Sequence, residues 1–182
     1  MKVLMHYNGA YSKEAGVCSI VLGLGKVLED KVDVDYVFGY NSPKSYLSNL
    51  SNKLHILHHT PITSLLFAKW MIGKEFDFVH SHTPETAFDA VIARILLRKK
   101  YSVVVHLHGL DKMVRKEWKK EVENGNTNYN IITDLYFLCS IFKGWFAMKL
   151  GNSFVCVSNS VKKEAKQAYN VDSDVLLNRN YK

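Results

Sequence analysis

Eight histidines lie within the first 108 of 182 residues, and seven stand where short apolar runs end. His6 closes the first run, and His58 and His59 follow the third. His80 and His82 end the fourth, and His106 and His108 the fifth. Imidazole donates or accepts a hydrogen bond, moves a proton near neutral pH and ligates metals. A single strand-end histidine is most often a hydrogen-bonded structural residue; several at one edge point to a site. His80-x-His82 and His106-x-His108 each place two side chains on one face of a strand, so neighbouring strands could chelate an ion. No carboxylate or cysteine accompanies these pairs, and no metal is expected. A hydrogen-bonding or acid–base role suits His108 better, because Gly109 lets a ligand approach the backbone closely.

A second candidate is the segment Asn8–Gly16, N-G-A-Y-S-K-E-A-G. It joins a strand to a helix, where phosphate meets backbone N–H groups and the positive end of a helix dipole. It is neither G-x-G-x-x-G nor a Walker loop, which disfavours a dinucleotide cofactor or a P-loop.

Positioning these groups requires a strand–helix alternation. Strands are expected at Lys2–Tyr7, Val32–Gly39, Leu54–Leu57 (weakly), Phe76–His80, Ser102–Leu107, Phe154–Val157 and Val175–Leu177. Helices are expected at Val17–Asp30, Ile62–Ile72 behind Pro61, Glu85–Leu97, Asp111–Glu123, Ile131–Leu150 and Val161–Tyr169. Thr83 reads as a cap and Pro84 as the first helical residue. The pattern is α/β: a Rossmann-like, doubly wound parallel sheet of about six or seven strands flanked by helices. Such sheets bind ligands at the carboxyl ends of their strands.

Composition narrows the classes. A hydrophobic fraction of 47% excludes a disordered or collagen-like chain. Three scattered cysteines, Cys18, Cys139 and Cys156, make neither a disulfide framework nor a zinc ribbon and suit a reducing cytoplasm. No signal peptide is read at the start. The longest apolar stretch, Ile131–Leu150, carries Asp134, Lys143 and Lys149, which argues against a membrane span. The net charge is +7, and the window Arg98–Lys120 holds eight basic and two acidic residues. Within it, Arg115, Lys116, Trp118, Lys119 and Lys120 precede the aromatic helix and form a candidate surface for an anionic membrane or an acceptor. A solvated helix face explains the same run. No nucleic-acid motif accompanies the charge, so no nucleic-acid partner is expected.

Five segments in order resemble the N-terminal domain of a family-4 retaining glycosyltransferase of the two-Rossmann-domain (GT-B) type. The opening strand and loop ending in Gly16 resemble the family's glycine-rich first loop. Phe76-Asp77-Phe78-Val79-His80-Ser81-His82 resembles its D-hydrophobic-hydrophobic-H-x-H strand, and Val103-Val104-Val105-His106-Leu107-His108-Gly109-Leu110 its V-V-x-x-H-G strand. Phe154-Val155-Cys156-Val157-Ser158 resembles the element ending in V-S, and Val175-Leu176-Leu177-Asn178 stands where V-I-P-N-G is usual. The chain departs from the pattern at Ala15-Gly16, Asn152, Leu177 and Arg179.

The resemblance implies transfer of a sugar from a nucleotide-sugar donor to an acceptor hydroxyl, with retention. It makes residues 1–182 the acceptor-side domain, inactive alone, and puts the donor-binding C-terminal domain outside this chain. It places His108 at the transferring bond as the catalytic residue, with Gly109 allowing close approach. His82 and Gly16 line the cleft, with Gly16 near the donor phosphates; Gly9 and Ser158 join them as substrate-binding positions. No cofactor is implied beyond the donor itself. The acceptor would be a glycan or a lipid-linked sugar, and the enzyme cytoplasmic or peripheral at the inner face of the membrane. A non-catalytic Rossmann-like binding or assembly domain and a nucleotide-sugar epimerase are the alternatives.

Overall fold

Six parallel strands carry the chain in a computed structural model that describes residues 1–10, 16–40 and 61–176. The strands are β1 (Lys2–Ala10), β2 (Asp33–Tyr40), β3 (Phe78–Ser81), β4 (Ser102–Leu107), β5 (Ser153–Cys156) and β6 (Asp174–Val175). The helices are α1 (Gly16–Glu29), α2 (Pro61–Met71), α3 (Pro84–Leu96), α4 (Asp111–Glu123), α5 (Ile131–Leu150) and α6 (Asn159–Tyr169). The sheet order is β2-β1-β3-β4-β5-β6 and every pairing is parallel. The expected strand at Leu54–Leu57 lies outside the described residues.

Register decides which side chains share a face. Leu4, Val79 and Val103 are paired neighbours on one face, and Met5, His80 and Val104 on the other. The first face is the larger core: Leu4, Val79, Val103, Val105 and Leu107 pack against Phe67 and Met71 of α2, Ala87, Ala90 and Val91 of α3, and Ala147 and Met148 of α5. The second joins Val3, Met5 and Phe38 to Cys18, Val21 and Leu24 of α1. β1 is thus apolar on both sides, as a central parallel strand must be. The order turns back between β1 and β3, and the carboxyl ends diverging there form the crevice in which such sheets bind ligands.

β1 corrects the sequence reading at two points. It extends to Ala10, so Asn8 and Gly9 belong to the strand rather than to a loop. The pairing with β2 shifts register between Tyr7 and Ala10, and a Cβ on Gly39 would collide with the Asn8 carbonyl oxygen, so only glycine fits there. His6 therefore sits inside β1, not at its end. It projects to the face opposite His80 and stacks on Phe67, with ring centroids 4.0 Å apart.

Local chemistry sets the helix ends. The Thr83 hydroxyl accepts the Thr86 N–H at 3.2 Å while the Thr86 hydroxyl accepts the Thr83 N–H at 3.1 Å, a reciprocal cap with Pro84 at the first position. Asn130 caps α5 through the Ile132 N–H at 2.9 Å. Asn152 accepts the Val103 N–H at 2.9 Å and an Arg94 guanidinium N–H at 2.5 Å, so it holds β4, β5 and α3 in register.

Candidate functional site

Parallel pairing brings the carboxyl ends of all six strands to one edge, and the candidate residues collect there. Gly9 lies near the end of β1, and Gly16 opens α1 with φ of 69°. His82 follows β3, His108 and Gly109 follow β4, and Ser158 follows β5. Ser158 is the N-cap of α6, its hydroxyl accepting the Val161 N–H at 3.2 Å.

His82 and His108 meet: Nδ1 of His82 and Nε2 of His108 are 3.5 Å apart. They belong to a stack of four imidazoles. Ring centroids are separated by 4.6 Å between His80 and His82, 5.0 Å between His82 and His106, and 4.6 Å between His106 and His108. His82 and His106 are fully buried, and His108 is half-buried at the mouth. Burial lowers all four pKa values: His108 and His80 fall to about 4, His106 to about 3, and His82 well below the usual imidazole value. At neutral pH each ring is uncharged, with one N–H donor and one acceptor nitrogen.

His108 and Gly109 open onto a cavity of about 260 Å³, lined also by Thr83, Glu85, Asp111 and Val114. A Cβ on Gly109 would meet nothing within 4 Å, so the space over it is open to a ligand. The acidic side of this cavity has no signature in the sequence. Glu85 and Asp111 stand in the first turns of α3 and α4, both helices that begin at the carboxyl edge, and both carboxylates contact the Ser140 hydroxyl of α5. Burial first, then the Asp111 carboxylate, pushes Glu85 up to about 8, so Glu85 keeps its proton at neutral pH and shares it within the cluster.

That protonation has a measurable consequence. The folded Glu85 pKa exceeds the unfolded one, so its contribution to stability is complete below about pH 4.5 and is lost as pH rises towards about 8. Glu85→Gln removes this dependence, at a slope of about 1.4 kcal/mol per pH unit for one proton. Urea denaturation at pH 5, 6.5 and 8 should show the variant gaining on the native chain as pH rises. A constant difference across the series would contradict a protonated Glu85.

The basic window does not form one surface. Arg98, Lys99 and Lys100 precede β4 at the amino edge of the sheet, where Lys99 pairs with Glu75, whereas α4 lies beyond its carboxyl end. On α4, Arg115 is tied to Asp134 at 2.6 Å, and Trp118 packs on Tyr129 and Phe137. Lys116, Lys119 and Lys120 remain exposed. The larger exposed feature belongs to α5. Ile131, Leu135, Leu138, Phe142 and Trp145 follow a 4-3-4-3 spacing, form one stripe, and are 46–72% exposed. The opposite face, with Phe137, Ser140, Lys143, Gly144, Ala147 and Met148, is buried. α5 is long and apolar enough to cross a membrane by length and composition. Its inner face nevertheless belongs to the core of this chain.

A sequence model described as Glycosyltransferase Family 4 matches residues 21–177. No curated protein matches the sequence. Among solved structures, the apo form of the lipopolysaccharide outer core galactosyltransferase WaaB superposes with a TM-score of 0.60 at 14% identity, over 97% of this chain and 45% of that one. Anabaena Alr3699/HepE in complex with UDP-glucose superposes with a TM-score of 0.57 at 15% identity, over 98% and 44%. This chain therefore spans less than half the length of the structures it resembles, and the likeness is one of fold.

Proposed function

Because the chain belongs to glycosyltransferase family 4 and has the Rossmann-like fold of GT-B enzymes, we propose that it is the acceptor-side domain of an enzyme that moves a sugar from a nucleotide-sugar to an acceptor hydroxyl, with retention. The observation that carries this reading is the cavity at the end of β4, where His108, steadied by His82, faces open space over Gly109. A neutral imidazole there donates to or accepts from a sugar hydroxyl and steadies charge on the departing phosphate. Gly16, at the N-terminus of α1, sits where helix N–H groups take up a phosphate. The Glu85–Asp111 pair lines the same cavity and offers acceptors for sugar hydroxyls. Uridine nucleotide-sugars are the first donors to test, since the HepE structure holds one. The remaining donor contacts come from a second domain.

The experiment is a donor screen on a protein containing this chain and its C-terminal half, with membrane extract as acceptor and product configuration read by NMR. Transfer with retained configuration is expected, and none from the 182 residues alone. Robust transfer by this chain alone would refute the half-site reading. A changed sugar without acceptor would make it an epimerase, and nucleotide-sugar binding without turnover a binding module.

The acceptor is a glycan or lipid-linked sugar at the inner face of a membrane, and the docking surface is the α5 stripe rather than α4 alone. The stripe supplies apolar side chains for the acyl boundary, and Lys149 of α5 with Lys116, Lys119 and Lys120 of α4 supply charge for anionic headgroups. Cys18, Cys139 and Cys156 form no disulfide, which suits the cytoplasmic side. The chain should float with phosphatidylglycerol vesicles. Leu138→Ser with Phe142→Ser should weaken binding at least about tenfold at any salt, and replacing the three α4 lysines should weaken it only at low salt. No flotation at low salt would contradict this surface.

A further inference from the structure

We propose that His80, His82 and His106 form a binding site for one divalent transition-metal ion of the zinc class, lying directly behind His108. The site arises from strand register. His80 pairs with Val104 across β3 and β4, so His80 and His82 share a face with His106 and His108. One ring nitrogen from each of His80, His82 and His106 lies within 4.8 Å of the other two.

The side chains have the chemistry of ligands rather than of core residues. All three are at least nine-tenths buried. Nε2 of His80, Nε2 of His82 and both ring nitrogens of His106 have no hydrogen-bond partner among the described residues. Each such orphan costs about 1–3 kcal/mol, and four together on three neighbouring rings are an arrangement that a core would avoid. A metal ion takes up one lone pair from each of the three rings at once. Three imidazoles are a sufficient protein set for zinc, with water or a further group in the fourth position. The sequence expectation of no metal rested on the missing carboxylate or cysteine, which three imidazoles make unnecessary. The same absence selects the ion: imidazole suits zinc, copper, nickel and iron, not magnesium or calcium.

Binding requires the rings to tip out of their stack. A tetrahedral ion about 2.0–2.1 Å from each nitrogen holds its ligands about 3.3 Å apart. The nitrogens must therefore close by at most about 1.5 Å, a motion within reach of the soft Cβ–Cγ torsion of histidine. With Nε2 of His82 on the ion, its Nδ1 keeps the proton and donates it towards Nε2 of His108, 3.5 Å away. His108 then presents Nδ1–H outward, so the ion acts as a positioning element behind that ring.

The test is titration of the chelator-treated chain with Co²⁺ and then Zn²⁺, without substrate. One equivalent of Co²⁺ should give the intense visible band of a four-coordinate ion, and Zn²⁺ should erase it. His80→Gln and His106→Gln, each checked for folding by circular dichroism, should weaken binding by at least about 100-fold, the upper end of what losing a mere ligand-orienting group costs. The wild-type stoichiometry and spectrum decide even if both variants unfold. Absence of Co²⁺ binding, a six-coordinate spectrum, or folded variants with undiminished affinity would overturn the proposal. Because no sugar or nucleotide enters the assay, its failure leaves the transferase reading standing, and failure of the transferase reading leaves the titration valid.

Discussion

Substituting His108 by alanine in the intact enzyme is expected to lower kcat/KM for sugar transfer by about 10²–10⁴-fold, the range for a positioned group that exchanges a proton or stabilises developing charge. The position is favourable for so large an effect. His108 is half-buried, its ring is backed by His106 at 4.6 Å between centroids, and Nε2 lies beside His82. Its reach into the cavity is thus set before substrate arrives, and little entropy is lost on binding. Gly109 presents no side chain that would compensate. Donor affinity, measured by calorimetry, should change far less than turnover if, as proposed, this chain is the acceptor side of the enzyme. A variant retaining more than a tenth of native turnover would remove His108 from the chemistry.

Replacing Lys143 by methionine is expected to destabilise the folded chain by about 3–5 kcal/mol. Lys143 of α5 is fully buried, with Nζ 3.1 Å from Oδ1 of Asp89 in α3 and donating to Oγ1 of Thr63 in α2 at 2.9 Å. Ser64 donates to the same Asp89 oxygen at 2.5 Å. Three helices are joined through one buried ion pair. Burial raises the Asp89 pKa, and Lys143 is the foremost of the influences holding it down. Removing the cation leaves a buried carboxylate that must either stay charged without a counter-ion or take up a proton. Lys143→Met with Asp89→Asn should recover most of the loss, since the double change removes both charges. Urea midpoints of the three proteins check this, and a single-variant loss below about 1 kcal/mol would mean that the pair contributes nothing.

What the sequence disclosed followed from local signals. β4, α4 and α5 lie at the residues expected, because a triple valine, the Asn124-Gly125 stop and a continuous apolar, aromatic-rich run are short-range instructions. The long-range features were hidden. Asn8-Gly9 has the composition of a turn, but the close approach of Gly39 makes it strand. The Arg98–Lys120 window is continuous in sequence, yet the six residues of β4 carry the chain about 20 Å from one edge of the sheet to the other and divide the charge. Lys143 looked like an interruption of an apolar helix; its partner is 54 residues away. The two H-x-H pairs were visible. That they face one another required the β3–β4 register, and that Glu85, Asp111 and Ser140 converge beside them required three helices to be placed.

A crystal structure of the enzyme containing this chain, with an unhydrolysed nucleotide-sugar, tests the role of the His108 cavity most directly. The sugar should lie over Gly109, with a hydroxyl or phosphate oxygen within hydrogen-bond distance of His108, and with the phosphates towards the N-terminus of α1 at Gly16. A well-ordered nucleotide-sugar bound elsewhere, leaving the His108 cavity out of reach of its sugar, would remove that cavity from sugar transfer.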